Sequence, residues 1–167
     1  MSAQPVEHPQ SLLSVLTDRP LTIADLMADD TPIRKEIIDG GLFVTPWPDI
    51  EHQALVTDLT VQLYGMCPRR GGLRVFAGIN VVSEPGTLII PDVAVADAGV
   101  TGVAFLPEQL ALVVEVTSSS TRRTDLSLKR ELYREWKIPF VIVDRGQKPA
   151  AVIVEGELPE WVGDLTI

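Results

Sequence analysis

The sequence predicts an α/β (α+β) fold in which a mixed central sheet is flanked by helices. Short apolar segments alternate with turn residues, and two long segments carry apolar residues at helical spacing. Near the C-terminal end a strand, a long helix and another strand follow one another, which favours a mixed sheet with helices packed on it. The chain has 167 residues, 46% of them hydrophobic and 22% charged, enough for one domain with a real core.

The predicted elements follow from local patterns. Residues 22–25, TIAD, look like a capping box that opens a short helix. A helix is predicted from about Ile50 to Met66, with His52 on its apolar face. A second helix is predicted from about Arg122 to Lys137. The predicted strands lie within EIIDGGLFVT (36–45), LRVFAGINVVS (73–83), TLIIPDVAVAD (87–97), LALVVEV (110–116), FVIVD (140–144) and AAVIVE (150–155).

The sequence predicts one folded domain preceded by an arm. We expect a flexible N-terminal arm over residues 1–20 and a single domain over residues 21–167, because no linker, repeat or low-complexity tract divides the second range. No run approaches the roughly 20 apolar residues of a membrane-spanning helix. The N-terminus also lacks the basic start and apolar stretch of a secretory signal. The sequence therefore predicts a cytoplasmic protein without membrane contact.

The composition limits the function classes. The single cysteine, Cys67, excludes an internal disulfide framework and a cysteine-based zinc cluster. The remaining metal ligands are carboxylates and two histidines, which suit hard cations such as Mg²⁺. The net charge of −9 argues against broad adhesion to nucleic acid, so any contact with nucleic acid is expected to be local.

The segment LALVVEV places one carboxylate, Glu115, among six apolar side chains. An unpaired ionised group there is costly or must take up a proton, so Glu115 needs a cation. A buried salt bridge without function satisfies that need, and so does a metal.

Two further ionisable residues lie on apolar faces. Asp92 follows a proline at the start of a strand and shares a face with two alanines, which leave space around its carboxylate. Pro-Asp is also common at strand starts, so a purely structural role stays open. Helical spacing places Lys129 inside the apolar stripe of the second helix, where an ammonium needs an anion. If their strands are neighbours, Asp92, Glu115 and Lys129 can meet.

That combination suits phosphodiester hydrolysis. Two carboxylates can hold a divalent cation that polarises a phosphodiester and acidifies a bound water, and a lysine can orient that water or stabilise developing charge. The residues themselves therefore indicate a metal-dependent phosphodiesterase, with DNA as the expected substrate.

The motifs carry a family resemblance. PD at 91–92, EV at 115–116 and SSSTRRTDLSLKRELYREWKIPFVIVD at 118–144 resemble the Uma-type restriction endonuclease family, a branch of the PD-(D/E)XK nuclease superfamily. The likeness runs in order from RKEIIDG at 34–40 to VIVD at 141–144. It implies a restriction-endonuclease-like mixed sheet and a metal-dependent endonuclease that acts on nucleic acid, DNA rather than RNA. Thr117 stands where the superfamily usually has its lysine, and Lys129 is similar to a lysine that has migrated to the following helix.

The resemblance also implies a site. Its catalytic residues would be Asp92, Glu115, Lys129, Glu36 and His52, around Mg²⁺ or Mn²⁺ held by Asp92 and Glu115. A homodimer is expected by analogy with nucleases that cut both strands. The chain departs from the family pattern at Lys35, at Asp49, in SSS and at 136–137, and it ends at Ile167, so we expect a shortened C-terminus.

The loop TSSSTRR, residues 117–123, is the predicted nucleic-acid contact. Ser119, Arg122 and Arg123 lie between a strand and a helix, where hydroxyls, guanidinium groups and a helix N-terminus can hold a phosphate. A nucleotide-binding role is the weaker interpretation because the loop has no glycines.

Several alternatives remain open on the sequence alone. In one alternative, the chain is a catalytically inactive nuclease-fold module that acts in self-association or partner binding. The net negative charge of the chain favours this alternative. Glu36 can be a strand-edge ion pair with Arg34 or Lys35, and His52 a core histidine. Tyr133, one turn beyond Lys129, is interpreted as packing.

Overall fold

The computed structural model describes residues 22–27, 33–45, 47–68, 71–84, 86–117, 124–163 and 165–166. The predicted arm over residues 1–20 lies outside these ranges. So do three predicted nucleic-acid contacts, Ser119, Arg122 and Arg123.

The strands of the described residues form two sheets. The four-stranded sheet has the order β2-β1-β5-β4 and is antiparallel, and the five-stranded sheet has the order β3-β6-β7-β8-β9. In the larger sheet β7 and β8 are parallel and the other pairs are antiparallel, which confirms the predicted mixed sheet. The strands are β1 Arg34–Ile38, β2 Gly41–Thr45, β3 Leu73–Ala77, β4 Val81–Ser83, β5 Thr87–Ile89, β6 Val93–Asp97, β7 Leu110–Val116, β8 Phe140–Asp144 and β9 Ala151–Glu155.

The first two helices begin as the sequence predicts. α1, Ile23–Met27, opens with the capping box: the Thr22 backbone N–H donates to Asp25 Oδ2 at 2.7 Å, and the Asp25 N–H donates to Thr22 Oγ1 at 3.3 Å. α2, Ile50–Met66, has the predicted bounds. The Asp49 side chain caps it by accepting the His52 N–H at 2.6 Å.

The second predicted helix differs in its first part. Thr124–Lys129 forms a π-helical segment, and the α-helix α3 spans only Arg130–Glu135. A short 3₁₀ turn, Pro107–Gln109, precedes β7. Of the helices in the described ranges, none is long and apolar enough to cross a membrane.

The larger sheet carries a core on each face. Val56, Leu59 and Leu63 of α2 pack on one face, against apolar residues of β6 and β7. On the other face, Leu132 and Tyr133 of α3 pack with residues of β6, β7 and β8 and with Ile38 and Ile89 of the smaller sheet. The start of β6 and the end of β7 lie side by side because these strands are antiparallel. Asp92 and Glu115 lie at this shared end of the two strands.

Candidate active site

Asp92 and Glu115 lie next to each other across β6 and β7. Asp92 immediately precedes β6 and Glu115 is the penultimate residue of β7. The Val116 N–H donates to Asp92 Oδ2 at 2.8 Å, and the Asp92 N–H makes a long contact with Glu115 Oε2 at 3.4 Å. Each carboxylate thus contacts the backbone of the other's strand, which fixes the two acids as a buried pair.

Lys129 joins this pair to β1. Its ammonium Nζ lies 2.8 Å from Glu36 Oε1 and 3.1 Å from Glu115 Oε1. The Lys129 residue is 2% exposed, so its predicted position inside the apolar stripe agrees with the structure. Glu36 Oε1 also accepts the Ile90 N–H at 2.6 Å. Glu36 is therefore joined to the other two acids through Lys129 and is held by a backbone amide. Asp92, Glu115, Lys129 and Glu36 form a buried ionic cluster.

His52 reaches the same cluster from the first turn of α2. Its Nε2 lies 3.4 Å from Asp92 Oδ1. The other ring nitrogen, Nδ1, is buried and has no hydrogen-bond partner within the described ranges. The structure thus brings together Glu36, His52, Asp92, Glu115 and Lys129, and their chemical roles stay predictions.

Arg34 is a member of the cluster that sequence reasoning missed. Its Nη1 lies 3.2 Å from Asp92 Oδ1, and its Nη2 donates to the Ile90 carbonyl. On the sequence alone, Arg34 was expected only as a possible ion-pair partner of Glu36. Period two along a strand puts Arg34 and Glu36 on the same face of β1, and that signal was available.

Tyr133 is the second residue that was missed. Its hydroxyl donates to Glu115 Oε1 at 2.6 Å, and its ring packs against Trp136 and Phe140. Packing, the interpretation made from sequence, describes the ring but not the hydroxyl. The signal was its position one turn after Lys129, which places both side chains over the same neighbour.

Among the described residues, the cluster holds more carboxylates than arginine and lysine side chains. Three carboxylates, of Glu36, Asp92 and Glu115, face the two side chains of Arg34 and Lys129. Burial raises the pKa of Asp92, but the His52 hydrogen bond and the Arg34 and Lys129 charges outweigh it and lower the pKa below its ordinary value. Burial likewise opposes the net rise in the pKa of Arg34, which the three carboxylates cause.

The donor set suits a small hard cation. Within the described residues no group of three or more His, Cys, Asp or Glu side chains is arranged to hold a metal ion. Mg²⁺, however, commonly binds through one or two carboxylates and keeps several waters. The paired carboxylates of Asp92 and Glu115 therefore fit Mg²⁺ or Mn²⁺.

Thr117 does not replace the lysine usually found at its position in the superfamily. Its hydroxyl donates to Asp144 Oδ1 at 3.2 Å and accepts the Arg145 N–H at 3.2 Å. These contacts direct Thr117 towards the end of β8, whereas Lys129 lies on Glu115. The ammonium next to Glu115 thus belongs to the helical segment, and its role as the migrated catalytic lysine stays a prediction.

Comparison with known proteins bears on this arrangement. The model of the Uma2 family, described as "Putative restriction endonuclease", matches residues 22–161. The chain belongs to the Uma2 family. No curated protein matches it.

The Uma2 assignment confirms the resemblance drawn from the motifs, and all the cluster residues lie within the matched range. A crystal structure from Anabaena variabilis ATCC 29413, of "a putative nuclease belonging to DUF820", is 17% identical, with a TM-score of 0.65. The likeness covers 85% of this chain and 91% of that one. It shows a shared fold, which is consistent with the restriction-endonuclease-like architecture. Membership of Uma2 supports a nuclease function in general terms.

Proposed function

We propose that the chain is a metal-dependent endonuclease that hydrolyses phosphodiester bonds, with DNA as its preferred substrate. One observation carries the proposal: two buried carboxylates, Asp92 and Glu115, lie side by side with a buried lysine on Glu115. Buried acids need cations, and among the described residues three carboxylates share the two side chains of Arg34 and Lys129. Uma2 membership supports the same reaction class.

Asp92 and Glu115 are the proposed metal ligands, for Mg²⁺ or Mn²⁺. The cation would supply electrophilic assistance to the phosphodiester and acidify an attacking water. Lys129, held between Glu36 and Glu115, is placed to orient that water or to stabilise charge that develops on the phosphate. Glu36 orients Lys129, and His52 orients Asp92 through its Nε2.

The proposed nucleic-acid contacts are Ser119, Arg122 and Arg123. They follow Glu115 closely in sequence, between β7 and the helical segment that carries Lys129. Because the chain has a net charge of −9, such local basic contacts would have to position the backbone phosphates. A homodimer is proposed by analogy with enzymes that cut both strands, and sedimentation analysis tests it.

The decisive experiment measures metal binding and cleavage together. Titration calorimetry with Mn²⁺ and nicking of supercoiled plasmid in Mg²⁺ or Mn²⁺ are compared for the natural chain, Asp92→Asn and Glu115→Gln. These substitutions keep side-chain size and remove the charge. Asp144→Asn is the matched control, since Asp144 is an equally buried acid that accepts from Thr117 and Gly146.

We expect Mn²⁺ binding and nicking in the natural chain and in Asp144→Asn, and loss of both in the two site variants. Nicking that persists in chelator, or in Asp92→Asn, contradicts the proposal. If no DNA is cut, a single-stranded RNA assay decides between another nucleic acid and the noncatalytic alternative.

A further inference from the structure

We infer that Arg34 is a guanidinium that occupies Asp92 before metal binding and contacts a substrate phosphate afterwards. The inference rests on the proposed function, because it concerns the same carboxylate pair. It assigns Arg34 a substrate-binding role that differs from the cation-holding role of Asp92 and Glu115.

Its contacts show that Arg34 competes for a proposed metal ligand. Arg34 Nη1 lies 3.2 Å from Asp92 Oδ1, the oxygen that His52 Nε2 also approaches. The other oxygen, Oδ2, accepts the Val116 N–H. A divalent cation near Asp92 would face a guanidinium at close range, and like charges repel strongly where burial reduces screening. Cation binding and the present position of Arg34 therefore oppose each other.

Exposure separates Arg34 from its neighbours. The Arg34 side chain is 27% exposed, compared with 6% or less for His52, Asp92 and Lys129. Arg34 is thus the positive group of this cluster that a phosphate arriving from solvent can reach. Lys129 lies deeper, between two carboxylates.

The unused donor of Arg34 indicates what it can bind. Its Nε is buried and has no hydrogen-bond partner within the described residues. A buried N–H without an acceptor is costly, and a planar guanidinium is suited to two parallel hydrogen bonds to phosphate oxygens. A phosphate would satisfy Nε and replace the charge interaction that Arg34 loses when a metal takes Asp92.

The test compares Arg34→Met and Arg34→Lys with the natural chain. Mn²⁺ affinity is measured by calorimetry, and binding of a short DNA duplex is measured by fluorescence anisotropy in Ca²⁺. Arg130→Met is the matched control, because Arg130 is 30% exposed and is paired with Glu155 of β9 instead. Circular dichroism and thermal melting establish that each variant is folded.

For Arg34→Met we expect Mn²⁺ to bind about tenfold tighter, because a competing cation has been removed. We expect duplex affinity to fall about tenfold, because a charged phosphate contact has been removed. Arg34→Lys should keep Mn²⁺ affinity within about twofold and still lose several-fold in duplex affinity, because lysine lacks the planar fork.

A merely structural Arg34 would give the opposite metal result, since a displaced Asp92 would weaken Mn²⁺ binding. Weaker or unchanged Mn²⁺ binding in Arg34→Met overturns the inference, as does unchanged duplex affinity. If Arg34→Met does not fold, the Arg34→Lys comparison decides by itself. If the natural chain binds no Mn²⁺, the proposed function fails too. If the natural chain binds Mn²⁺ and Arg34→Met has the same Mn²⁺ affinity and the same duplex affinity, only this inference fails.

Discussion

At the scale of single residues, Lys129 determines whether the buried acids can coexist. It lies 2.8 Å from Glu36 and 3.1 Å from Glu115. Lys129→Met leaves both acids without this cation, so we expect the free energy of unfolding to fall by about 3 to 5 kcal/mol. Urea denaturation measures it. Adding Glu36→Gln should recover part of the loss, and a loss as small as that of a surface pair would contradict the role assigned to Lys129.

Tyr133 gives a smaller effect of the same kind. Tyr133→Phe removes the hydroxyl that donates to Glu115 at 2.6 Å and keeps the ring in the core. Because the lost hydrogen bond is to a charged group, we expect the free energy of unfolding to fall by about 1.5 to 3 kcal/mol in urea denaturation. Trp136→Phe, which leaves the Tyr133 hydroxyl in place, is the comparison. A stability equal to that of the natural chain would show that the hydroxyl contributes nothing.

Residue positions in the site were predictable where they depend on one element. The alternation of β7 and the helical spacing after it indicate that Glu115 and Lys129 lie on apolar faces, and both are buried. The contact between Arg34 and Asp92 joins residues 58 positions apart. It depends on how β1, β5 and the start of β6 are arranged, and no local pattern encodes that arrangement.

At the scale of elements, α2 positions His52, and Asp49 caps the N-terminus of α2. The His52 N–H bond to the Asp49 carboxylate is the main cause of a lowered Asp49 pKa, and Arg145 adds to it. A lowered folded pKa means that this stabilisation is complete above the ordinary aspartate pKa of 3.8 and is lost as the pH falls through the lower value.

We therefore expect Asp49→Asn, which caps the helix without titrating, to have a melting temperature that depends less on pH below about 4 than that of the natural chain. Asp49→Ala should melt lower than both at neutral pH. Melting curves followed by circular dichroism at a series of pH values test this. Parallel pH profiles for the natural chain and Asp49→Asn would exclude Asp49 as the titrating group.

The elements themselves were predictable to different degrees. α2 has a capping aspartate and a regular apolar face, and its predicted bounds agree with the structure. The π-helical segment Thr124–Lys129 was not foreseen, because apolar spacing in so short a stretch does not separate π from α geometry. The division into two sheets was also missed. The chain leaves the smaller sheet after Ile89 and enters the larger sheet at Val93. Pairing between strands that are distant in sequence decides where the chain changes from one sheet to the other.

At the scale of the whole molecule, the proposed site links metal binding to global stability. A ligand that binds only the folded chain raises the free energy of unfolding by an amount set by its concentration relative to its Kd. With free Mn²⁺ at about 100 times Kd, we expect a gain of about 2.7 kcal/mol, measured by urea denaturation and reversed by chelator. Asp92→Asn and Glu115→Gln should show no gain, and Glu155→Gln, which changes an acid on β9 paired with Arg130 and Arg134, should keep it. An equal gain in Asp92→Asn would mean that Mn²⁺ stabilises the chain from some other place.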